Sequence, residues 1–127
     1  MNVASYFEIP VTDMPRAIEF YSAVFEVTLE EDFFDNLEMA YFPLDTQAKG
    51  ISGALVKGEI YKPTHKGVLL YFNTFDIEQT IQRVVHQGAK ILFPIHRHEN
   101  VGFAVAEFED SEGNRIGLHQ ILLKIEE

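Results

Sequence analysis

Two titratable side chains in this sequence stand where they could move a proton. Glu8 lies in Tyr6-Phe7-Glu8-Ile9-Pro10-Val11 and His119 in Arg115-Ile116-Gly117-Leu118-His119, both short runs that alternate in polarity. A carboxylate walled by aromatic rings has its charged form desolvated, which suits it to general acid or base work. An imidazole beside it would share the proton or clamp a substrate. The structural alternative is that Glu8 is satisfied by Tyr6, Tyr71 or Arg115 and holds sheets in register, since buried charges are paired whatever their purpose. On that alternative His119 is a hydrogen-bonded structural residue. Further along, His96-Arg97-His98 sets two imidazoles two residues apart. An extended backbone would turn both rings one way and suit a metal ion. No third ligand stands at a fixed spacing, so the segment reads as a solvated loop. The chain has no Cys, which excludes disulfides, thiolate metal sites and a Cys nucleophile.

Elements must position these groups. Phe7, Ile9 and Val11 alternate with Tyr6, Glu8 and Pro10 over residues 4–11, a strand with two unlike faces. Asp13 is a helix N-cap with Pro15 in the first turn. Met14, Ala17, Ile18, Tyr21, Val24 and Phe25 follow at helical spacing. Strands are expected over 27–34 and 37–44, about an Asp35-Asn36 turn, and over 51–57. Residues 58–66, with Pro63, read as a linker. The pattern then repeats: Thr74-Phe75-Asp76-Ile77 answers Val11-Thr12-Asp13-Met14, with the two Asp 63 residues apart (76 − 13 = 63). A strand over 67–73 leads to a helix from Asp76 bearing Ile77, Ile81, Val84 and Val85, which stops at Gly88. Strands over 90–95, 101–108 and 115–122 complete the copy, the last two joined by Asp110-Ser111-Glu112-Gly113-Asn114, rich in turn formers.

The order is βαβββ twice. One helix cannot cover both faces of its sheet, so two copies are expected to pack together and leave a cleft. Alternation turns Tyr6, Glu8 and Pro10 toward it, with Leu69, Tyr71 and Asn73, and with Arg115, Gly117 and His119. Tyr6, Tyr71, Asn73 and Arg115 are therefore candidate ligand-binding residues beside the catalytic candidates Glu8 and His119. Gly53 and Gly117 join them, because a strand glycine permits close backbone approach and leaves room for a ligand or for sharp curvature.

Composition narrows the function. The 127 residues suit one domain, with modules at about 1–58 and 67–122. A net charge of −10 repels phosphate backbones, so nucleic acid is not an expected partner. No apolar run suits a membrane span. Met1-Asn2-Val3-Ala4-Ser5 lacks the features of a signal peptide, and a cytoplasmic location is expected. Glu30, Glu31, Asp32, Asp35 and Glu38 crowd one hairpin and read as a solvated face. Only the final Glu126-Glu127 reads as a tail.

The sequence resembles the vicinal oxygen chelate superfamily, which includes glyoxalases, bleomycin resistance proteins and extradiol dioxygenases. The likeness is carried by Glu8-Ile9-Pro10-Val11-Thr12-Asp13-Met14-Pro15-Arg16-Ala17, Phe20-Tyr21, Val24-Phe25, Gly88-Ala89-Lys90 and Asp110-Ser111-Glu112-Gly113-Asn114-Arg115-Ile116-Gly117-Leu118-His119. It implies an α+β fold in which two βαβββ modules curl mixed sheet into a cup, and it implies a homodimer. Metal-binding members hold a divalent ion that polarises the substrate's oxygens. Their ligand positions correspond here to Tyr6, a residue near Gly53, Leu69 and Gly117, where His, Glu or Gln is expected. No metal or other cofactor is therefore expected at that site. A divalent metal held by a non-standard set such as Glu8 and His119 is the alternative.

Two functions follow from the resemblance. One is a glyoxalase-like enzyme, a lyase, isomerase or hydrolase of a small organic molecule, with Glu8 moving the proton and His119, Tyr71 and Asn73 orienting the substrate. The other is a metal-free protein that sequesters a small molecule, as bleomycin resistance proteins do; the lack of Trp and the net negative charge fit a cationic or neutral aromatic guest. A scaffold role ranks behind both.

Overall fold

The computed structural model describes residues 1–122, so the Glu126-Glu127 tail lies outside the described residues. The elements are β1 (Phe7–Pro10), α1 (Met14–Phe25), β2 (Glu30–Phe34), β3 (Leu37–Tyr41) and β4 (Gly53–Lys57), then β5 (Leu70–Asn73), α2 (Ile77–His86), β6 (Ile91–His98), β7 (Phe103–Glu109) and β8 (Arg115–Ile121). This is an α+β chain of two βαβββ modules. The chain divides into two compact units, one from Met1 to Pro63 and one beginning at Thr64. Each holds a four-stranded mixed sheet, in the order β1-β4-β3-β2 and β5-β8-β7-β6.

The two modules share one backbone plan. In the first, β1 runs parallel to β4 with Glu8 opposite Ala54 and Pro10 opposite Val56. In the second, β5 runs parallel to β8 with Tyr71 opposite Gly117 and Asn73 opposite His119. Each of these residues is 63 positions from its counterpart (71 − 8 and 117 − 54). The same offset relates two further bonds, Val11 N–H to the Val56 carbonyl and Thr74 N–H to that of His119.

Both helices start at an Asp whose backbone is extended and whose carboxylate accepts from the N–H three residues on. α1 buries Met14, Ala17, Phe20, Tyr21 and Val24. Ile18 and Phe25 are only partly covered, and Phe20 takes a core place that the sequence pattern did not give it. α2 buries Ile77, Thr80 and Val84. Val85 lies off that stripe, 54% exposed. The Thr80 hydroxyl is satisfied by Thr74 Oγ1 at 2.7 Å and the Asp76 carbonyl at 3.0 Å, so a polar side chain can occupy the helix core.

β1 to β5 are shorter than the ranges expected for them, whereas β6 extends beyond its own. β6 runs through His96, Arg97 and His98, which read as loop in the sequence. Its register slips twice against β7, on either side of Phe93. Pro94 has no N–H to give a ladder, and β6 is an edge strand where such irregularity is tolerated. Arg97 then turns to Glu78 of α2, with N···O 2.6 Å, while His96 and His98 turn the other way.

Candidate functional site

Which face each strand residue occupies follows from a few contacts. The Tyr21 ring on α1 meets Phe42 at 5.6 Å, and Phe42 meets Phe7 at 5.6 Å. Phe7 thus faces the helix, and by alternation Tyr6 and Glu8 face away from it. Cross-strand register places Ala54, Val56, Met39 and Tyr41 on that same helix-free face, with Glu30 and Asp32 from β2. Met39, Ala54 and Val56 form a buried apolar floor, and Leu37, Tyr41 and Tyr61 pack against it.

Glu8 stands at the edge of this floor as the acceptor for two phenols. Tyr6 donates to Oε2 at 3.1 Å and Tyr61 donates to Oε1 at 3.3 Å. Burial pushes the Tyr6 phenol up to about 12, and the hydrogen bond to Glu8 and the Glu8 charge add to the effect. Tyr61 is raised chiefly by the Glu8 charge. Both phenols therefore keep their protons and remain donors at neutral pH. Glu8 itself is exposed, so the aromatic wall that would desolvate it is not present. Its partners are Tyr6 and Tyr61, rather than Tyr71 or Arg115. Sequence reasoning missed Tyr61, which lies in the expected linker 53 residues from Glu8, beyond the reach of any local pattern.

In the second module, Gln120 accepts from the first backbone N–H of α2, Ile77 N, at 2.8 Å. Gln120 thus faces the helix, and Arg115, Gly117 and His119 face away. Tyr71 and Asn73 share the latter face, through register with Gly117 and His119. Arg115 is engaged through both Nε and Nη2 by Glu107, which lies diagonally across on β7, so its charge is already matched. His119 ends a row of five rings on this face. Phe93 stacks on His96 at 4.3 Å, His96 lies 6.5 Å from His98, His98 4.9 Å from Phe103, and Phe103 5.6 Å from His119. The Nδ1 of His96 lies 2.8 Å from the Pro94 carbonyl, which can only accept, so Nδ1 carries a proton. A family model of the Glyoxalase/Bleomycin resistance protein/Dioxygenase superfamily matches residues 4–118.

The chain belongs to that superfamily.

Solved structures place the superfamily likeness in the fold. A mutant of glyoxalase I from Zea mays is 15% identical with a TM-score of 0.72, over 93% of this chain and 45% of that one. This chain thus spans less than half of the maize protein. A glyoxalase/bleomycin resistance protein from Streptomyces sp. CB03234 is 23% identical, TM-score 0.70, over 91% and 98%. The fosfomycin resistance protein FosX from Listeria monocytogenes is 16% identical, TM-score 0.65, over 99% and 95%. No curated protein sequence matches.

The superfamily's usual metal does not fit the residues at its positions. Leu69 and Gly117 have no side-chain donor, and the Tyr6 phenol is committed to Glu8. At Gly117 a Cβ would lie 2.6 Å from the Tyr71 ring, which would have to move aside. Gly53 belongs to the helix-facing side, where a Cβ would lie 2.1 Å from the Phe7 carbonyl oxygen. The openness expected at both glycines is thus filled by an aromatic neighbour, Phe7 at one and Tyr71 at the other. Next to Gly53, the helix-free face offers only Ala54 and Val56. Among the described residues, no three His, Asp or Glu side chains converge as a metal site. His96 and His98 share a face as an extended strand requires, but they too lack a third ligand.

Proposed function

We propose that the protein binds a small organic molecule through direct side-chain contacts, without the metal that other superfamily members use to hold a substrate. The observation that carries this reading is the Gly117–Tyr71 contact: the ring occupies the place where a ligating side chain would start. What the two helix-free faces offer instead is direct recognition, through Glu8 and its phenols on one and through Tyr71, Asn73, His119 and the ring row on the other. No helix among the described residues is long and apolar enough to cross a membrane. We propose a homodimer, on superfamily resemblance, and take the cytoplasm as the default location.

The test is a thermal-shift screen of small amines, alcohols, carboxylates and planar aromatics, repeated on protein stripped with a chelator. A compound should raise Tm equally in both preparations. Stoichiometric bound metal, with binding lost on stripping and restored by the ion, would overturn the reading.

A second reading is favoured by the geometry of Glu8, which accepts a single phenol on each oxygen and keeps lone pairs for a substrate proton. In that reading Glu8 is the general base of a glyoxalase-like lyase or isomerase reaction. Glu8→Gln should then abolish turnover with Tm nearly unchanged, and a fully active variant ends the idea.

A further inference from the structure

Two exposed imidazoles stand side by side on β6, at the outer edge of the second sheet. An extended strand turns residues two apart to the same side, and the His96 and His98 ring centres lie 6.5 Å apart. Arg97 between them turns to Glu78 of α2 at 2.6 Å and also meets Glu99 at 3.5 Å, so its charge is matched away from the pair. His119 shares the face but lies across Val105 from His96, two strand spacings or about 10 Å away.

Both rings have a lone pair to give. His96 keeps its proton on Nδ1, 2.8 Å from the Pro94 carbonyl, so Nε2 is the acceptor nitrogen of the neutral ring. Metal-binding histidines are commonly oriented in this way, with the far nitrogen fixed on a carbonyl and the near one left for the ion. Neither His96 Nε2 nor the His98 ring has a hydrogen-bond partner among the described residues. Phe93, 4.3 Å from His96, and Phe103, 4.9 Å from His98, restrict both rings and so reduce the rotamer freedom lost on binding. Two imidazoles on one tetrahedral ion stand about 5 Å apart, centre to centre. From 6.5 Å each ring has to lean by about 1 Å, within the ordinary motion of an exposed side chain.

We propose that His96 and His98 form a bidentate site for a divalent transition-metal ion that favours imidazole. Among the described residues no third side chain converges on the pair, so the remaining positions on the ion go to water. Copper, nickel and zinc fit these donors, whereas magnesium and calcium need oxygen ligands. The net charge of −10 favours a cation at this edge. The ion would lie on β6, two strands from Gly117, and so apart from the position where that glycine replaces a superfamily ligand. It is additional to direct ligand recognition and takes no part in it.

Calorimetry of the chelator-stripped protein with Ni²⁺ and with Mg²⁺ is the test. Ni²⁺ should bind stoichiometrically and Mg²⁺ should not bind. His96→Gln and His98→Gln should each weaken Ni²⁺ at least about tenfold, because the second ring of a chelate meets the ion at high effective concentration. Both positions are exposed, so Tm without metal should not change. His119→Gln on the same face and His86→Gln on α2, also exposed, should leave Ni²⁺ affinity intact. Bound Cu²⁺ should show two nitrogen ligands by electron paramagnetic resonance, and one in either β6 variant. Equal weakening by all four variants, no weakening by H96Q or H98Q, Mg²⁺ binding of equal strength, or a single nitrogen ligand in wild type means an adventitious ion only and overturns the proposal.

Discussion

The Glu8 cluster makes a prediction that needs no ligand. Tyr6 should ionise near pH 12 in the folded protein, against its ordinary value of 10.0. A tyrosinate absorbance titration reads this directly, and the absence of Trp keeps the signal clean. Tyr6→Phe and Tyr61→Phe assign the steps. The variant Glu8→Gln then separates the causes. Tyr61 owes its rise first to the Glu8 charge, so it should fall back to nearly ordinary behaviour. Tyr6 owes its rise first to burial, so it should fall only part of the way. The consequence for stability has a definite sign. Because the folded pKa is raised, the contribution is complete below pH 10 and is lost as pH climbs through 12. Two pKa units correspond to about 2.7 kcal/mol between protonation states. Tyr6 is 47% exposed, so solvent screening leaves about 1 kcal/mol or less in the folding equilibrium. Urea denaturation at intervals across this window should show that loss in wild type and not in Tyr6→Phe. A wild-type Tyr6 that titrates like a free phenol, or an E8Q protein whose two phenols do not move, would refute the reasoning.

Two further predictions concern the scaffold around His119 and Tyr71. Asp110 is buried and accepts from Glu112 N at 2.9 Å, Asn114 N at 2.8 Å and Asn114 Nδ2 at 2.9 Å. Asp110→Ala strands two backbone donors at the start of β8 and should cost about 2–4 kcal/mol in a denaturant titration. Gly117→Ala should cost about 1–3 kcal/mol by forcing the Tyr71 ring aside. The same change in a Tyr71→Ala background should cost much less, and a double-mutant cycle measures the difference.

Much of this architecture was legible in the sequence because it is written locally. Asp13 and Asp76 announce their helices by type and position, and the 63-residue offset between them holds in the parallel pairing of β1 with β4 and of β5 with β8. Alternation also separated Tyr6, Glu8, Tyr71, Asn73, Gly117 and His119 from the residues that pack under the helices. What could not be read depends on partners far apart. Tyr61 reaches Glu8 from a segment without periodicity. His96 and His98 looked like loop because an edge strand tolerates polar residues on both faces, and only its pairing with β7 reveals it. Gly53 looked like Gly117 as a gap in a strand, yet it lies on the opposite side of its sheet, and Phe7 fills the space there.

The shared register has a consequence for how such a chain can change. In the parallel strand pair of each module, positions 63 apart occupy the same place in the ladder. Val56 sits where the second half keeps His119, and Ala54 sits where it keeps Gly117. Val56 is fully buried with Met39 and Ala54, whereas His119 is half-buried beside Phe103. One ladder position thus serves packing in the first half and holds an imidazole in the second, so duplication of a frame does not duplicate its surface.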